Sequence, residues 1–279
     1  ITASAGTSNF RAGVNAGNSI ASGGNYNVVV GDEAGTALTT GDGNVAVGFE
    51  ALTTEDANGN NVAVGYRALK VQNAGAEAYN VAVGVDAGLG LTTATSSTLI
   101  GAFAGGGGTL SGADNTAIGR NAGYTLTSGT QNVLIGGLAG DAITTGGQNV
   151  AVGYLALSLE TTSSNNVAIG REALKTSNGG SGNTAVGRTA LAATTTGNDN
   201  VGVGLNALLA NTTGTLNVAV GMNAVDANTT GDKNTGIGQG ALSTNTTADD
   251  NTAVGFAALN LNTTGNNLVA VGSGALDAN

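Results

Sequence analysis

Glycine, aspartate and threonine are the residues whose types and spacing could build a chemical site in this sequence. The glycine run GAFAGGGG, residues 101–108, has the composition of a phosphate-binding loop, but neither a helix start nor a lysine follows it. Aspartates hold calcium in some β-rolls, yet here they do not recur at one position of successive repeats. We therefore interpret the glycines as corners of the chain and the aspartates as solvated charges.

Adjacent threonine pairs raise a second possibility, because stacked threonines can form a flat ice-binding array. The pairs are Thr39 and Thr40, Thr144 and Thr145, Thr212 and Thr213, Thr229 and Thr230, Thr246 and Thr247, and Thr263 and Thr264. A flat array needs threonines spaced by two, since neighbours on a strand point to opposite faces. A corner is the simpler interpretation of each pair, and ice binding remains an alternative.

Composition removes most of the usual catalytic and metal-binding groups. The chain has no cysteine and no histidine, which excludes disulfides, thiolate metal sites and imidazole chemistry. Its net charge of −10 disfavours binding to nucleic acid or anionic membranes, and no apolar run is long enough to span a membrane. We predict no enzyme activity, no catalytic residues, no cofactor, no metal, no nucleic-acid binding and no membrane insertion.

A tandem repeat organises the chain. The glycine of an Asn-Val-Ala-Val-Gly motif recurs fifteen times, and twelve of the fourteen intervals are 17 residues. These glycines are Gly31, Gly48, Gly65, Gly84, Gly101, Gly119, Gly136, Gly153, Gly170, Gly187, Gly204, Gly221, Gly238, Gly255 and Gly272. Position 1 is asparagine in thirteen copies, with Ser97 and Leu268 in the other two, and position 8 is alanine in all fifteen. We predict degenerate coils or a cap over residues 1–26 and one continuous repeat domain over residues 27–279.

Each copy has the pattern of one coil of a parallel β-solenoid. Positions 1–5 alternate as in a strand, with Val, Ile or Thr at positions 2 and 4. Glycine at position 5 and Thr-Thr-Gly at positions 13–15 predict two bends, so that two short strands and two corners complete a coil. The predicted fold is all-β, a β-solenoid of about 15–16 coils with a 17-residue repeat. Stacked asparagines at position 1 should form a ladder from coil to coil.

Positions 9 and 12 vary together. Where position 9 is leucine, position 12 is polar, as in the pair Leu52 and Glu55; where position 9 is glycine, position 12 is usually Leu or Ile, as in Gly35 and Leu38. We infer that both positions reach one core pocket that holds one large side chain per coil.

A thin coil of this kind should gain stability from a partner. Position 3 alternates with positions 2 and 4, which we assign to the core, so we expect it to point outward. It is small in twelve copies and forms a stripe that includes Ala46, Ala63, Ala82, Ala151, Ala219 and Ala253. We predict a homotrimer packed along this stripe, with a dimer or a covered monomer as alternatives.

The repeats resemble two families. NTAVGFAALNLNTTGNN, residues 251–267, is similar to the tandem repeats of phage tail-fibre proteins, and NVAIGREAL, residues 166–174, resembles the head repeats of YadA-like trimeric autotransporter adhesins. The adhesin resemblance implies a left-handed, trimeric β-roll. The adhesin head repeat is shorter than 17 residues, and neither a stalk with a membrane barrel nor a C-terminal self-cleaving chaperone is present in this sequence.

We therefore expect a structural shaft of a virion tail fibre or an extracellular appendage that supports attachment to a host or a surface. An adhesin head that binds a glycan or a matrix protein is the first alternative, and an ice-binding solenoid is another. A glycan-cleaving enzyme would need paired carboxylates, which the repeat does not place. Aromatics at position 6, such as Phe49, Tyr66 and Phe256, could contact a glycan or a cell-surface receptor, but corner packing or trimer contacts is the favoured interpretation.

Overall fold

The computed structural model describes residues 6–277, and within them it contains sixteen three-residue strands and no helix. The strands are β1 (Phe10–Ala12), β2 (Val28–Val30), β3 (Val45–Val47), β4 (Val62–Val64), β5 (Val81–Val83), β6 (Thr98–Ile100), β7 (Thr116–Ile118), β8 (Val133–Ile135), β9 (Val150–Val152), β10 (Val167–Ile169), β11 (Thr184–Val186), β12 (Val201–Val203), β13 (Val218–Val220), β14 (Thr235–Ile237), β15 (Thr252–Val254) and β16 (Val269–Val271). They fall into two compact units, Ile1–Thr145 with β1–β8 and Gly146–Asn279 with β9–β16.

Strand pairing is parallel and in register within each unit. In the first unit Val45 pairs with Val62 and Ala46 with Ala63, so equivalent repeat positions lie side by side. In the second unit Val167 pairs with Thr184 in the same way. Each coil therefore lies on the next, about 4.8 Å away, and the predicted all-β parallel solenoid is confirmed. Its left-handedness and its assembly as a trimer stay predictions.

The degenerate N-terminal copy forms a coil of its own. Phe10–Ala12 is strand β1, and it pairs with Val28–Val30 through the same register as later coils. Residues 1–5 and 278–279, which belong to the predicted segments 1–26 and 27–279, lie outside the described residues. The predicted boundary between these two segments stays a prediction.

One expectation about the coil was wrong, because each coil has one strand rather than two. After the glycine at position 5 the chain turns, with left-handed backbone at positions 7 and 9, for example φ 52° at both Glu50 and Leu52. These turns still bond from coil to coil: the Leu52 N–H donates to the Ala68 carbonyl oxygen at 3.0 Å. Backbone hydrogen bonding along the stack therefore does not require strand geometry on every side.

Glycine at position 5 is required for two reasons, of which the sequence indicated one. Gly170 has φ of 134°, a conformation that side chains disfavour. A Cβ built on Gly170 would also lie 2.5 Å from the Gly187 carbonyl oxygen in the next coil. The stacked glycines at position 5 thus permit both the bend of the chain and the close approach of the backbones of neighbouring coils.

The assignment of faces was also wrong. Position 3 points into the coil, and its side chains are fully buried at Ala46, Ala63, Ala82, Ala151, Ala219 and Ala253. Positions 2 and 4 of the same strands are partly exposed. Small residues at position 3 are therefore explained by a narrow interior, and this stripe is not available to a partner. The predicted trimer cannot pack along it.

The shared core pocket is confirmed. At Gly35, a Cβ would meet the Leu38 side chain at 2.8 Å, and at Gly140 it would meet that of Ile143 at 2.8 Å. Leu52 fills the same position 9 directly and is fully buried. A large side chain from position 9 or from position 12 therefore enters the same pocket. The expected limit of one large side chain per coil was wrong for three copies, in which position 3 is also large and buried, at Val29, Leu99 and Leu134.

The predicted asparagine ladder is present, and it also closes each coil. In the second unit, Asn166 Oδ1 accepts the backbone N–H of Asn183 at 3.0 Å, which joins one coil to the next. Asn166 Nδ2 donates to the Gly180 carbonyl oxygen at 2.9 Å, which joins the start of its own coil to the corner fourteen residues later. Each of these groups is buried, so the ladder satisfies backbone groups that water does not reach.

A second ladder, which the sequence pattern did not predict, runs along position 12 of the second unit. Asn228 Nδ2 donates to Asn211 Oδ1 at 2.9 Å, and Asn245 Nδ2 donates to Asn228 Oδ1 at 3.0 Å. Glu160 occupies the same position and is fully buried, and its Oε1 accepts the Ser163 N–H at 2.7 Å. Polar residues at position 12 therefore belong to the interior rather than to the solvated surface.

Candidate functional site

The residues that sequence analysis weighed for chemistry are not brought together. Among residues 6–277, no group of three or more His, Cys, Asp or Glu side chains has a metal-binding arrangement. The glycine run 101–108 forms a corner, with φ of 124° at Gly101 and 57° at Gly105, and no helix follows within the described part. Aspartates such as Asp232 and Asp249 bond to the preceding coil instead: Asp249 Oδ1 accepts the Asp232 N–H at 2.7 Å.

No helix among the described residues is long and apolar enough to cross a membrane.

Three carboxyl groups are partly or fully withdrawn from water. Burial raises the pKa of Glu55, Asp141 and Asp226 above their ordinary values. Glu55 is fully buried, and its Oε2 has no hydrogen-bond partner in the described structure. The amide of Gln72, at the same position of the following coil, is likewise buried without a partner. These groups lie one per coil and do not form the paired carboxylates that glycoside hydrolysis uses.

Replacing Glu55 with glutamine should stabilise the chain at neutral pH. The folded-state pKa lies above the unfolded value, so ionisation of Glu55 costs the folded state more than the unfolded one. This cost is absent below the unfolded pKa and complete above the folded pKa. Thermal unfolding should therefore give Glu55→Gln a higher midpoint than wild type at pH 7 and an equal midpoint near pH 3. Equal midpoints at both pH values would contradict an ionised, poorly solvated Glu55.

The most extensive surface feature is the outward side of the strands, formed by positions 2 and 4, which we name the outward sheet face. In all fifteen copies both positions hold Val, Ile or Thr, and none holds a charge. Ile169, Val220 and Ile237 are 39%, 37% and 39% exposed. A charge-free apolar strip over successive strands is unlike the scattered apolar residues of an ordinary monomer surface.

A second surface feature lies at the corner formed by positions 6, 7 and 10. Phe49 and Tyr66 stack there with ring centroids 5.4 Å apart, and Arg67 lies over the Tyr66 ring at 4.9 Å. Arg67 is also paired with Asp86 through two bonds of 2.8 Å. The rings and the Arg67 guanidinium thus bond to one another and to Asp86, in agreement with corner packing.

Open hollows lie at this corner in each unit. One, of about 280 Å³, lies in the first unit between Phe103, Arg120, Asn121 and Tyr124. Another, of about 220 Å³, lies in the second unit between Arg171, Glu172, Arg188 and Thr189. Arg171 there is held by Glu172 at 2.9 Å. Sequence analysis missed the first hollow, because Phe103, Asn121 and Tyr124 lie at positions 7 and 10, which show no common residue type.

No family model matches the chain, and no curated protein matches it at a significant level. The fold and its two surface features are therefore the basis on which a function can be assigned.

Proposed function

We propose that this chain is a structural shaft segment of a virion tail fibre or an extracellular appendage, which supports attachment to a host or a surface. The observation that carries the proposal is the outward sheet face. Strand preference explains β-branched residues at these positions, but a strand surface with no charge at either position of any copy is one that an assembly would bury. Backbone bonds between all neighbouring coils of a unit, with few free loops, suit a stiff element that resists proteases.

We further propose that the assembly is a homotrimer whose chains meet through the outward sheet face. The face is the same in every coil, so it offers a matching surface to further copies of the chain. Side chains such as Val152 and Ile169 stand on a parallel sheet, and burying them stabilises an interface by about 25 cal/mol per Å² of apolar surface removed from water. Charges elsewhere on the acidic surface keep assembled fibres apart.

Two lysines on the outward sheet face should dissociate the assembly without unfolding the coils. We expect light scattering to give the mass of three chains for wild type and of one chain for the double variant Ile169→Lys with Val203→Lys. Each lysine would bring an unpaired charge into an apolar interface, which is strongly unfavourable. Circular dichroism should be unchanged, because both positions point away from the core.

The matched control places the same two charges at exposed corner positions of the same unit, as Thr196→Lys with Thr230→Lys. This control should retain the wild-type mass. A monomeric wild type, or a double variant of the outward face that keeps the wild-type mass, would contradict assembly through this face.

Ice binding is a second candidate function, and a specific observation favours it. Positions 2 and 4 are spaced by two on one exposed strand face, which is the geometry that the adjacent threonine pairs lack. However, threonine occupies only position 2, in five copies: Thr98, Thr116, Thr184, Thr235 and Thr252. An array dominated by Val and Ile offers few hydroxyls to ice, so the shaft is the better-supported function. Thermal hysteresis of the purified chain would reverse this preference.

A further inference from the structure

The hollow between Phe103, Arg120, Asn121 and Tyr124 combines two aromatic rings with two polar side chains. The two rings meet edge to face, with centroids 6.5 Å apart and planes at 77°. Both remain open to solvent, with Phe103 39% and Tyr124 38% exposed. The rings therefore form two walls of an open hollow of about 280 Å³, near the lower limit of small-molecule pockets.

The Tyr124 ring is held in place by the glycine run below it. A Cβ built on Gly107 would collide with this ring, so the ring lies directly over the Gly107 backbone. Gly107 has no positive φ, which means that its backbone conformation does not demand glycine. This coil also carries the one-residue insertion between Gly101 and Gly119. The Tyr124 ring thus lies over a glycine of a coil that departs from the 17-residue repeat.

The polar groups of the hollow are free for a ligand. The Arg120 side chain is exposed and takes part in none of the ion pairs or hydrogen bonds of the described residues, unlike Arg67 and Arg171. The Asn121 side chain also makes no hydrogen bond there, although its backbone N–H donates to the Ala102 carbonyl oxygen at 3.0 Å. An unpaired guanidinium is notable on a chain with net charge −10, where carboxylates outnumber cations.

We propose that this hollow is a binding site for a saccharide unit that carries a carboxylate. Ring faces and edges pack against the C–H surface of a sugar, as open aromatic walls commonly do in binding sites. The Arg120 guanidinium matches a carboxylate through two parallel hydrogen bonds. The Asn121 amide and the Tyr124 hydroxyl supply donors and acceptors for sugar hydroxyls.

Two comparisons favour an acidic sugar over other ligands. The overall negative charge opposes nucleic acids and other polyanions, whereas a single carboxylate is matched by one local cation. The second hollow, at Arg171 and Arg188, has no aromatic wall. Glu172 holds Arg171 there, and Arg188 is unpaired among the described residues, like Arg120, so the aromatic walls are what distinguish the first hollow. Only the first hollow combines apolar walls with an uncommitted cation.

This inference goes beyond the proposed structural role, because it gives the shaft a ligand of its own. An experiment can contradict the ligand site without contradicting the structural role, and the reverse. Assembly is tested by mass through the outward sheet face, whereas the hollow is tested by saccharide binding and lies at a corner with none of the residues of that face.

Calorimetric titration of the full chain should detect saturable binding of an acidic probe. Two pairs of probes distinguish the source of the carboxylate: sialyllactose against lactose, and glucuronic acid against glucose. The acidic member of at least one pair should bind about tenfold or more tightly than its neutral partner. Equal affinities within both pairs, or no saturable binding of either acidic probe, would overturn the proposal.

Variants localise the binding. Arg120→Gln should weaken binding of the acidic probe about tenfold and leave binding of the neutral probe unchanged. Tyr124→Ala should weaken binding of both probes. The controls are Lys233→Gln, which makes the same charge change elsewhere, and Phe256→Ala, which removes another exposed ring. Wild-type binding in Arg120→Gln and Tyr124→Ala would show that the hollow is not the site.

Gly107→Ala tests the positioning of the ring without touching the ligand. Displacement of the Tyr124 ring should lower the affinity for both the acidic and the neutral probe of the pair that binds. It should also change the intrinsic tyrosine fluorescence, while circular dichroism stays unchanged. Unaltered binding together with altered fluorescence would contradict a role for the fixed ring.

Discussion

Gly170→Ala should break the stack of coils in the second unit at the point of substitution. The new Cβ would lie 2.5 Å from the Gly187 carbonyl oxygen and 2.7 Å from its carbonyl carbon, both of them backbone atoms that cannot move alone. In addition, φ of 134° is strained for any residue with a side chain. Backbone strain and overpacking together should cost about 3–5 kcal/mol.

Chemical unfolding and hydrogen exchange would measure this effect. Because each coil contacts only its neighbours, exchange should accelerate most in β9 to β11, around the substituted corner. The matched control is Gly240→Ala in the same unit. Gly240 also has positive φ, 66°, but a Cβ there meets no atom within 4 Å. Its cost should be about 1–2 kcal/mol, the strain of left-handed backbone alone. Similar losses for both variants would show that backbone strain, and not the close approach of coils, requires glycine at position 5.

Asn166→Ala should have the second-largest effect. It removes the acceptor of the Asn183 N–H and the donor to the Gly180 carbonyl oxygen, and both of these groups are buried. A buried polar group without a partner costs about 1–3 kcal/mol, so the expected loss is about 2–5 kcal/mol in the free energy of unfolding.

Asn178→Ala is the matched control, because Asn178 is an exposed asparagine of the same coil. Its side chain accepts one bond from the Thr161 hydroxyl at 2.8 Å, also at the surface. The cost should be within about 0.5 kcal/mol. If urea unfolding gave the two alanine variants the same midpoint, the ladder at position 1 would contribute no more than an exposed side chain does.

Sequence reasoning predicted the repeat architecture because its signals are local and recur in every copy. The strand at positions 2–4, the corner at position 5, the asparagine ladder and the shared pocket of positions 9 and 12 all follow from residue types at fixed spacing. The second strand was predicted wrongly. Leu52 looks like a strand residue, yet its backbone is left-handed with φ of 52°, and only its full burial compensates for that conformation.

The face assignment failed although the sequence contained a signal against it. Position 3 is large in three copies, at Val29, Leu99 and Leu134, and each of those copies has glycine at position 9. In the structure a Cβ on Gly140 would meet Leu134 at 2.7 Å, which shows that positions 3 and 9 share the interior. This covariation resembles that of positions 9 and 12. It indicates an inward position 3, and hence an outward face formed by positions 2 and 4.

The hollow at Phe103 and Tyr124 could not be predicted in this way. Its residues lie at positions that the repeat leaves variable, and its geometry depends on an insertion that occurs in one coil. Periodicity describes what the coils have in common, whereas a binding site in a repeat protein depends on the coil that differs.

In-register pairing also determines how the gene for such a chain can change in length. Val45 lies beside Val62 and Val167 beside Thr184, so recombination between two copies that removes 17 codons joins equivalent positions. The bonds between position-1 asparagines then re-form across the junction, because each coil contacts only its neighbours. Extra residues are accommodated at corners, as in the intervals of 19 and 18 residues that follow Gly65 and Gly101. The number of coils can therefore expand or contract by unequal crossing-over while the interior of each remaining coil stays the same.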